Sequence, residues 1–357
     1  MKLPPLISVP LSWLYGMVVH IRHKLFDLKI LRSEEFDIPV VCIGNLTVGG
    51  TGKTPVAELL IERFSEHYRV GVLSRGYRRR TKGFVLSTLT SSARTIGDEP
   101  RQMKLKYPSV PVAVCEKRAE GIRLLRKAHP EIELIILDDA FQHRYVEPWV
   151  NILLMDYNNP VYRDRLLPWG RLRDTRNQIH RANFVLVTKC PDDLNPLDMR
   201  IVINSLGLFP YQSLYFTRMR QGEITPLFAD RAVGKVREGD PVIAMSGIAN
   251  PVPLLENLRK RFDVVAELTF DDHHTYRLSD MRRLEALFAA YPDAVVLTTE
   301  KDAVKLTNRK KVPEAVQQRL YYVPIHVSFV ADSESEFLRQ LELYVRTNQK
   351  YSLLHPE

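Results

Sequence analysis

The sequence predicts an α/β fold: a P-loop, Rossmann-like core with a mostly parallel sheet, followed by a second, smaller α/β domain. Three observations carry this. Short apolar runs at residues 40–43, 70–73, 112–114 and 134–137 alternate with helical stretches, as strands buried on both faces of a parallel sheet do. A glycine-rich turn, TVGGTGKT over residues 47–54, joins the first of these strands to an amphipathic helix. Strand and helix signals then restart near residue 241, beyond an alternating stretch that reads as a β-ribbon between domains.

The chain has 357 residues, 45% hydrophobic and 26% charged, which suits a globular protein with room for two domains. Its formal charge of +9 favours acidic partners: phosphates, nucleic acid or an anionic membrane surface. Cys42, Cys115 and Cys190 are far apart and form no C-x-x-C pair. That argues against a zinc site or a disulfide framework and suits a reducing cytosol.

Taken in order, residues 3–19 are apolar but interrupted by Pro4, Pro5 and Pro10. The run is shorter than the about 20 residues of a spanning helix and lacks the flanks of a secretory signal. From Leu11 onward, Trp13, Leu14, Met17, Val18, Ile21, Leu25 and Leu28 follow helical spacing, with Arg22, His23, Lys24, Lys29 and Arg32 as a basic flank. Such a helix either packs on the protein's own core or lies in a membrane interface, and its aromatic and basic residues favour the interface.

In the turn after the first strand, Gly49, Gly50 and Gly52 let backbone N–H groups approach an anion, flanked by Thr47, Val48 and Thr51. Lys53 and Thr54 stand where a P-loop places its phosphate lysine and its magnesium-binding hydroxyl, at the positive end of a helix expected over 55–67. The strict motif has glycine where Thr47 stands. Strand 70–73 ends in Ser74-Arg75-Gly76-Tyr77, and ligands gather at the carboxyl ends of such strands, which makes Arg75 a candidate phosphate contact. Arg78, Arg79 and Arg80 read as a solvated run.

Asp98 and Glu99 follow a glycine at a helix start, where an acid either caps the helix or accepts a proton from an attacking hydroxyl. Strand 134–137 ends in Asp138-Asp139, a Walker B arrangement that holds Mg2+ beside the P-loop threonine. Asp156 is a further strand-end acid, and Arg163, Arg165, Arg171, Arg173 and Arg176 populate the loop after it. Thr188-Lys189 begins a guanine-type loop, but Pro191 stands where [NT]-K-x-D needs its aspartate, which favours ATP over GTP. Farther on, Asp271, Asp272, His273 and His274 share one loop that lacks zincin spacing; a metal cluster and a catalytic histidine both remain open. The strand ending near Thr299 leads into Lys301 and Asp302.

The ordered series TVGGTGKT, SRGY, GDEP, DDAFQH, LLPWGRLR, VTK, FDDHH and TTEKD resembles the tetraacyldisaccharide 4′-kinases, the lipid A kinases of bacteria with an outer membrane. The resemblance spans nearly the whole chain, and that family also varies the first P-loop glycine, as at Thr47. It implies transfer of phosphate from ATP, with Mg2+, to the 4′-hydroxyl of tetraacyldisaccharide 1-phosphate, giving lipid IVA. It further implies work at the cytoplasmic face of the inner membrane, contact through the N-terminal helix, and a two-stranded hinge between two α/β domains. Carried over, Asp98 is the catalytic carboxylate, His273 its partner, and Asp138 and Asp139 manage the metal and the attack. Arg118, Gln142 and Arg173 fall at matching positions, the arginines stabilising phosphate, while Asp174 stands where glutamate is common.

The organisation expected is a membrane-contacting helix at 1–32, a kinase core at 33–212, a ribbon hinge at 213–240, a smaller domain at 241–349 and a tail at 350–357. A monomer is expected. A switch ATPase with a similar loop would carry a second lysine early in the loop, where Thr47 and Val48 stand. A nucleic-acid-binding protein would need a reading module, and none is recognisable.

Overall fold

A computed structural model describes residues 4–347. The expected tail at 350–357 lies outside the described residues. Helix α1 (Pro5–Asp27) precedes the first sheet. Then follow β1 (Val40–Asn45), α2 (Lys53–Phe64), β2 (Val70–Ser74), β3 (Val85–Leu86), α3 (Ala93–Ile96), α4 (Asp98–Lys106), β4 (Val112–Val114), α5 (Arg118–Ala128), β5 (Leu134–Leu137) and β6 (Val150–Asp156). The chain continues through β7 (Phe184–Thr188), α6 (Pro196–Leu206), β8 (Ser213–Gln221) and β9 (Thr225–Pro226). Next come β10 (Pro241–Ser246), α7 (Val252–Arg261), β11 (Asp263–Thr269), α8 (Leu278–Ala290), β12 (Val295–Thr299) and α9 (Glu300–Ala303). It closes with α10 (Glu314–Gln317), β13 (Leu320–Val323), β14 (Ile325–Phe329) and α11 (Glu334–Thr347).

Among the described residues a nine-stranded sheet runs β14-β8-β7-β6-β1-β5-β2-β4-β3, parallel except at the two edges, where β3 and β14 pair antiparallel. Successive residues of β1 face opposite sides. Val40 and Cys42 join one cluster with Ile122, Leu125 and Leu137; Val41 and Ile43 join another with Val56, Leu60 and Ile136. Burial on both faces is why the strands read as unbroken apolar runs. The second sheet, β11-β10-β12-β13-β9, is likewise covered on both faces, by Leu284 and Phe288 of α8 and by Leu254 and Leu258 of α7.

Four features differ from expectation. Pro10 lies inside α1 rather than before it; Pro10 and Leu6 are both exposed, so the carbonyl that Pro10 leaves unbonded can meet water. Helix α2 starts at Lys53, two residues early, and ends at Phe64. The ribbon is not a local hairpin within 213–240: β8 pairs antiparallel with β14, Met219 opposite Val327, while β9 joins the second sheet. The last part of 241–349 also returns to the first sheet, where Phe337, Leu341 and Val345 of α11 pack with Phe329 of β14 in the cluster under α2.

Candidate active site

The P-loop leaves β1 at Asn45 and closes on α2 at Gly52, with Gly49 and Gly52 at φ 108° and 85°, a backbone region that suits glycine. The arginine-rich segment runs alongside: Val48 N donates to the Arg171 carbonyl at 2.8 Å and Arg173 N to the Leu46 carbonyl at 2.8 Å. That pairing brings Arg173 to the end of β1. Lys53 Nζ lies 3.2 Å from Asn45 Oδ1 and 3.6 Å from Asp139 Oδ1. The Arg173 guanidinium donates to both Asp139 oxygens and to Asn45 Oδ1. Burial raises the Asp139 carboxyl, but Lys53 and Arg173 outweigh it and hold the group well below the usual carboxylate range.

Asp138 has the opposite environment. Its Oδ2 accepts from Ser74 Oγ at 3.0 Å, and its buried Oδ1 has no hydrogen-bond partner. Burial, with the Asp139 charge adding, pushes its carboxyl up to about 6. An orphaned carboxylate oxygen in a cleft that a P-loop hydroxyl also lines is a hard donor set, and it fits a magnesium ion. Thr54 lines the same cleft.

Asp98 is the first residue of α4, and Gly97 before it, at φ 94°, packs against Gly76, where a Cβ would meet backbone at 3.1 Å. Its Oδ2 lies 2.9 Å from His273 Nδ1. Burial raises the Asp98 carboxyl, but the His273 hydrogen bond and the charges of Lys305 and Lys301 bring it below its ordinary value. His274 turns away: it bonds Asp280 Oδ2 at 2.9 Å and stacks on Phe270. Among the described residues no group of three His, Cys, Asp or Glu side chains could hold a metal, so the Asp271–Asp272–His273–His274 loop is not a metal cluster.

A cleft of about 1590 Å³ between the two sheets joins the P-loop, Asp138, Asp139, Arg173 and His273. Other expected residues hold the scaffold as much as they face the cleft. Gln142 Nε2 donates to the Asn45 carbonyl at 2.9 Å. Arg118 is buried and donates from Nη1 to the carbonyls of Cys115 and Glu116, at 2.6 and 3.2 Å. Arg75 is exposed at the cleft wall.

Sequence reasoning did not single out Asn45, which links Lys53 to Arg173, or Lys305, 3.6 Å from Asp98. The available signal for Lys305 was its helical spacing from Lys301 in TEKDAVK. Lys189 reaches the Gly50 carbonyl and Asp156 Oδ2, so this strand-end pair braces the P-loop, while Asp192 is occupied by Arg220 at 2.8 Å.

A family model described as tetraacyldisaccharide-1-P 4′-kinase matches residues 5–344. The chain is 44% identical over 356 residues to a tetraacyldisaccharide 4′-kinase of Bacteroides thetaiotaomicron, covering 96% of this chain and 94% of the relative. It is 44% identical over 350 residues to the enzyme of that name from Phocaeicola vulgatus, covering 96% of each. A crystal structure of "apo" form LpxK from Aquifex aeolicus in complex with ATP superposes with a TM-score of 0.73 at 27% identity, covering 94% of this chain and 98% of that one.

Proposed function

The chain belongs to the tetraacyldisaccharide 4′-kinase family, and from that premise we propose how its own residues carry out the transfer. It is an ATP-dependent kinase that phosphorylates the 4′-hydroxyl of tetraacyldisaccharide 1-phosphate in lipid A biosynthesis. The observation that carries the mechanism is one cleft shared by a phosphate-side cluster (Lys53, Asn45, Asp139, Arg173) and the Asp98–His273 pair.

The P-loop amides of residues 47–52 and Lys53 bind the β- and γ-phosphates of ATP. Thr54, Asp138 and Asp139 would hold Mg2+, which when bound neutralises charge on the phosphate oxygens. Asp98 accepts the proton of the 4′-hydroxyl as its oxygen attacks the γ-phosphorus in line; the bond from that phosphorus to the β-γ bridging oxygen breaks and ADP leaves. His273 orients Asp98 through their 2.9 Å hydrogen bond. Arg173 spreads over the developing charge, and Arg75 and Arg118 add positive potential at the cleft wall.

The two sheets are the proposed domains, and the β8–β14 ribbon with the β13–β14 turn is the proposed hinge. Helix α1 is the proposed contact with the cytoplasmic face of the inner membrane; no helix among the described residues is long and apolar enough to cross. Its outward residues support that reading: Leu6 is 89% and Trp13 77% exposed. Incubation with ATP, Mg2+ and the disaccharide 1-phosphate should give a product one phosphate heavier; ADP without that product would favour a switch ATPase. Asp98→Ala should lower turnover by about 10²–10⁴-fold while ATP affinity stays near wild type. Unchanged turnover would remove Asp98 from the chemistry.

A further inference from the structure

Asp98 stands on the first sheet's side of the cleft, yet each basic side chain drawn to it comes from the segment around the second sheet. His273 sits in the loop after β11, Lys301 lies in α9, and Lys305 follows α9 directly. Lys301 is partly exposed and spreads over three contacts at 3.4 Å: Glu99, Asp272 and His273 Nε2. Lys305 is held differently. Its side chain is 8% exposed, with Nζ 2.9 Å from Asp302 Oδ1 and 3.6 Å from Asp98 Oδ2. Asp302 is fully buried, and its Oδ2 accepts from Gly247 N at 2.8 Å and Thr299 Oγ1 at 2.7 Å. Both Asp302 oxygens are therefore occupied, and Lys305 rests on a fixed support.

The charge count around the pair is tight. Asp98, Glu99, Asp272 and Asp302 meet Lys301, Lys305 and His273, so even with a protonated imidazole the carboxylates are one ahead. Removing either lysine leaves the carboxylates further in excess, in a site where like charges repel through little water.

We propose that Lys305 is a positioning residue for phosphoryl transfer: anchored on Asp302, it fixes the Asp98 carboxylate against His273, so that Asp98 becomes a competent proton acceptor only when the second lobe is docked. The proposal rests on the reading of Asp98 as that acceptor. It explains why a carboxylate at the start of α4 is met by two lysines and a histidine from the segment around the second sheet. The lysine touches neither hydroxyl nor phosphate; it acts through Asp98.

The test uses the full chain with detergent-dispersed disaccharide 1-phosphate. Lys305→Met, Lys305→Gln and Lys305→Arg are compared in the wild-type and Asp98→Ala backgrounds by kcat and by KM for ATP. Lys305→Met and Lys305→Gln should lower kcat by at least about tenfold with KM for ATP within about twofold, and Lys305→Arg should restore most of the loss. In the Asp98→Ala background the Lys305 substitutions should cost nothing further, because the group they act through is gone. Should Lys305→Met fail to fold, Lys305→Gln decides, since it keeps a polar donor in place of the charge. Wild-type turnover in Lys305→Gln, or the same fold-loss in both backgrounds, would overturn the proposal. Full turnover in Asp98→Ala alone would instead overturn the reading beneath it.

Discussion

Replacing His23 by alanine should loosen helix α1 from the cleft, and the cost can be worked from one buried pair. His23 Nε2 lies 2.6 Å from Asp174 Oδ1, with side-chain exposures of 4% and 1%. Asp174 Oδ1 also accepts from Thr175 N at 2.8 Å, but its buried Oδ2 has no hydrogen-bond partner. Taking away the imidazole leaves a buried carboxylate with the Thr175 N bond alone, which costs about 3 kcal/mol. Asp174→Ala should cost less, because it strands only one imidazole nitrogen, whereas losing the imidazole strands a buried carboxylate oxygen. The double variant should be more stable than His23→Ala alone, since no stranded charge remains. Arg144, which loses its ring contact with His23, stays held by Asp27 Oδ1 at 2.9 Å. The other anchors of α1 include Ser12 to the Leu166 carbonyl, Tyr15 to the Arg173 carbonyl, Arg22 to the Gln142 carbonyl and Asp27 with Arg144. The loss should therefore appear as local opening, measured as amide exchange of residues 5–27 about 100-fold faster, which corresponds to about 3 kcal/mol. Turnover should fall with it, because Tyr15 steadies the backbone of Arg173. Wild-type exchange in His23→Ala, or an Asp174→Ala variant equally damaged, would refute the reasoning.

Two further outcomes follow from the P-loop and its surroundings. Gly52→Ala meets a left-handed backbone at φ 85° and a Cβ position 2.1 Å from Met219 Cε; about 1–2 kcal/mol of backbone strain should survive in a Met219→Ala background, while the clash should not. Urea unfolding of the four proteins measures this, and a Gly52→Ala effect that vanishes with Met219 would show the backbone term to be absent. Burial, with Arg118, Arg22 and Arg75 adding, pushes the His143 imidazole down to about 4, and its Nε2 accepts the Arg118 amide at 3.2 Å. The unfolded chain, near 6.5, takes up that proton first, so His143's contribution to stability should be intact above pH 6.5 and should be lost between pH 6.5 and about 4. His143→Gln should flatten that part of the stability–pH curve; parallel curves for the two proteins would refute it.

The strands were the most legible part of the chain. Runs at 112–114 and 134–137 coincide with β4 and β5, because burial on both faces leaves no polar residue to blur their ends. The Lys53, Asp138 and Asp139 neighbourhood was legible for a related reason, since strand ends and glycine turns are set by local chain geometry. What could not be read locally depends on chain return. Strand β8 takes its antiparallel partner from β14, which arrives only after the whole second sheet has been built. Asn45 looks like any strand-end polar residue until Lys53 and Arg173 converge on it. His273 and His274 are adjacent in sequence, and only the positive φ of 62° at His273 sends one to Asp98 and the other to Asp280.

Helix α1 shows why periodicity alone does not say which face is buried. In α2 the inward face is Val56, Leu60, Ile61 and Phe64, as hydrophobic burial requires. In α1 the buried positions are Ser8, Ser12, His23 and Phe26, while Leu6, Trp13, Leu14, Met17, Val18 and Ile21 are about half exposed or more. Each large apolar side chain left in water forgoes about 1.5–3 kcal/mol of transfer, so a helix turned this way is poorly matched to water as its solvent. Its polar face is the one that reaches the Arg173 and Gln142 carbonyls, beside the phosphate cluster. Inverted amphipathy and attachment to the cleft thus have one physical account. On the proposed reading of α1 as a membrane contact, an apolar phase covering the outer face would supply the missing transfer energy, and acyl chains lying in that phase would bring a sugar hydroxyl to the mouth of the same cleft. A core-packing helix would satisfy the sequence pattern equally well, but it would bury leucines and tryptophan where this one buries serine and histidine.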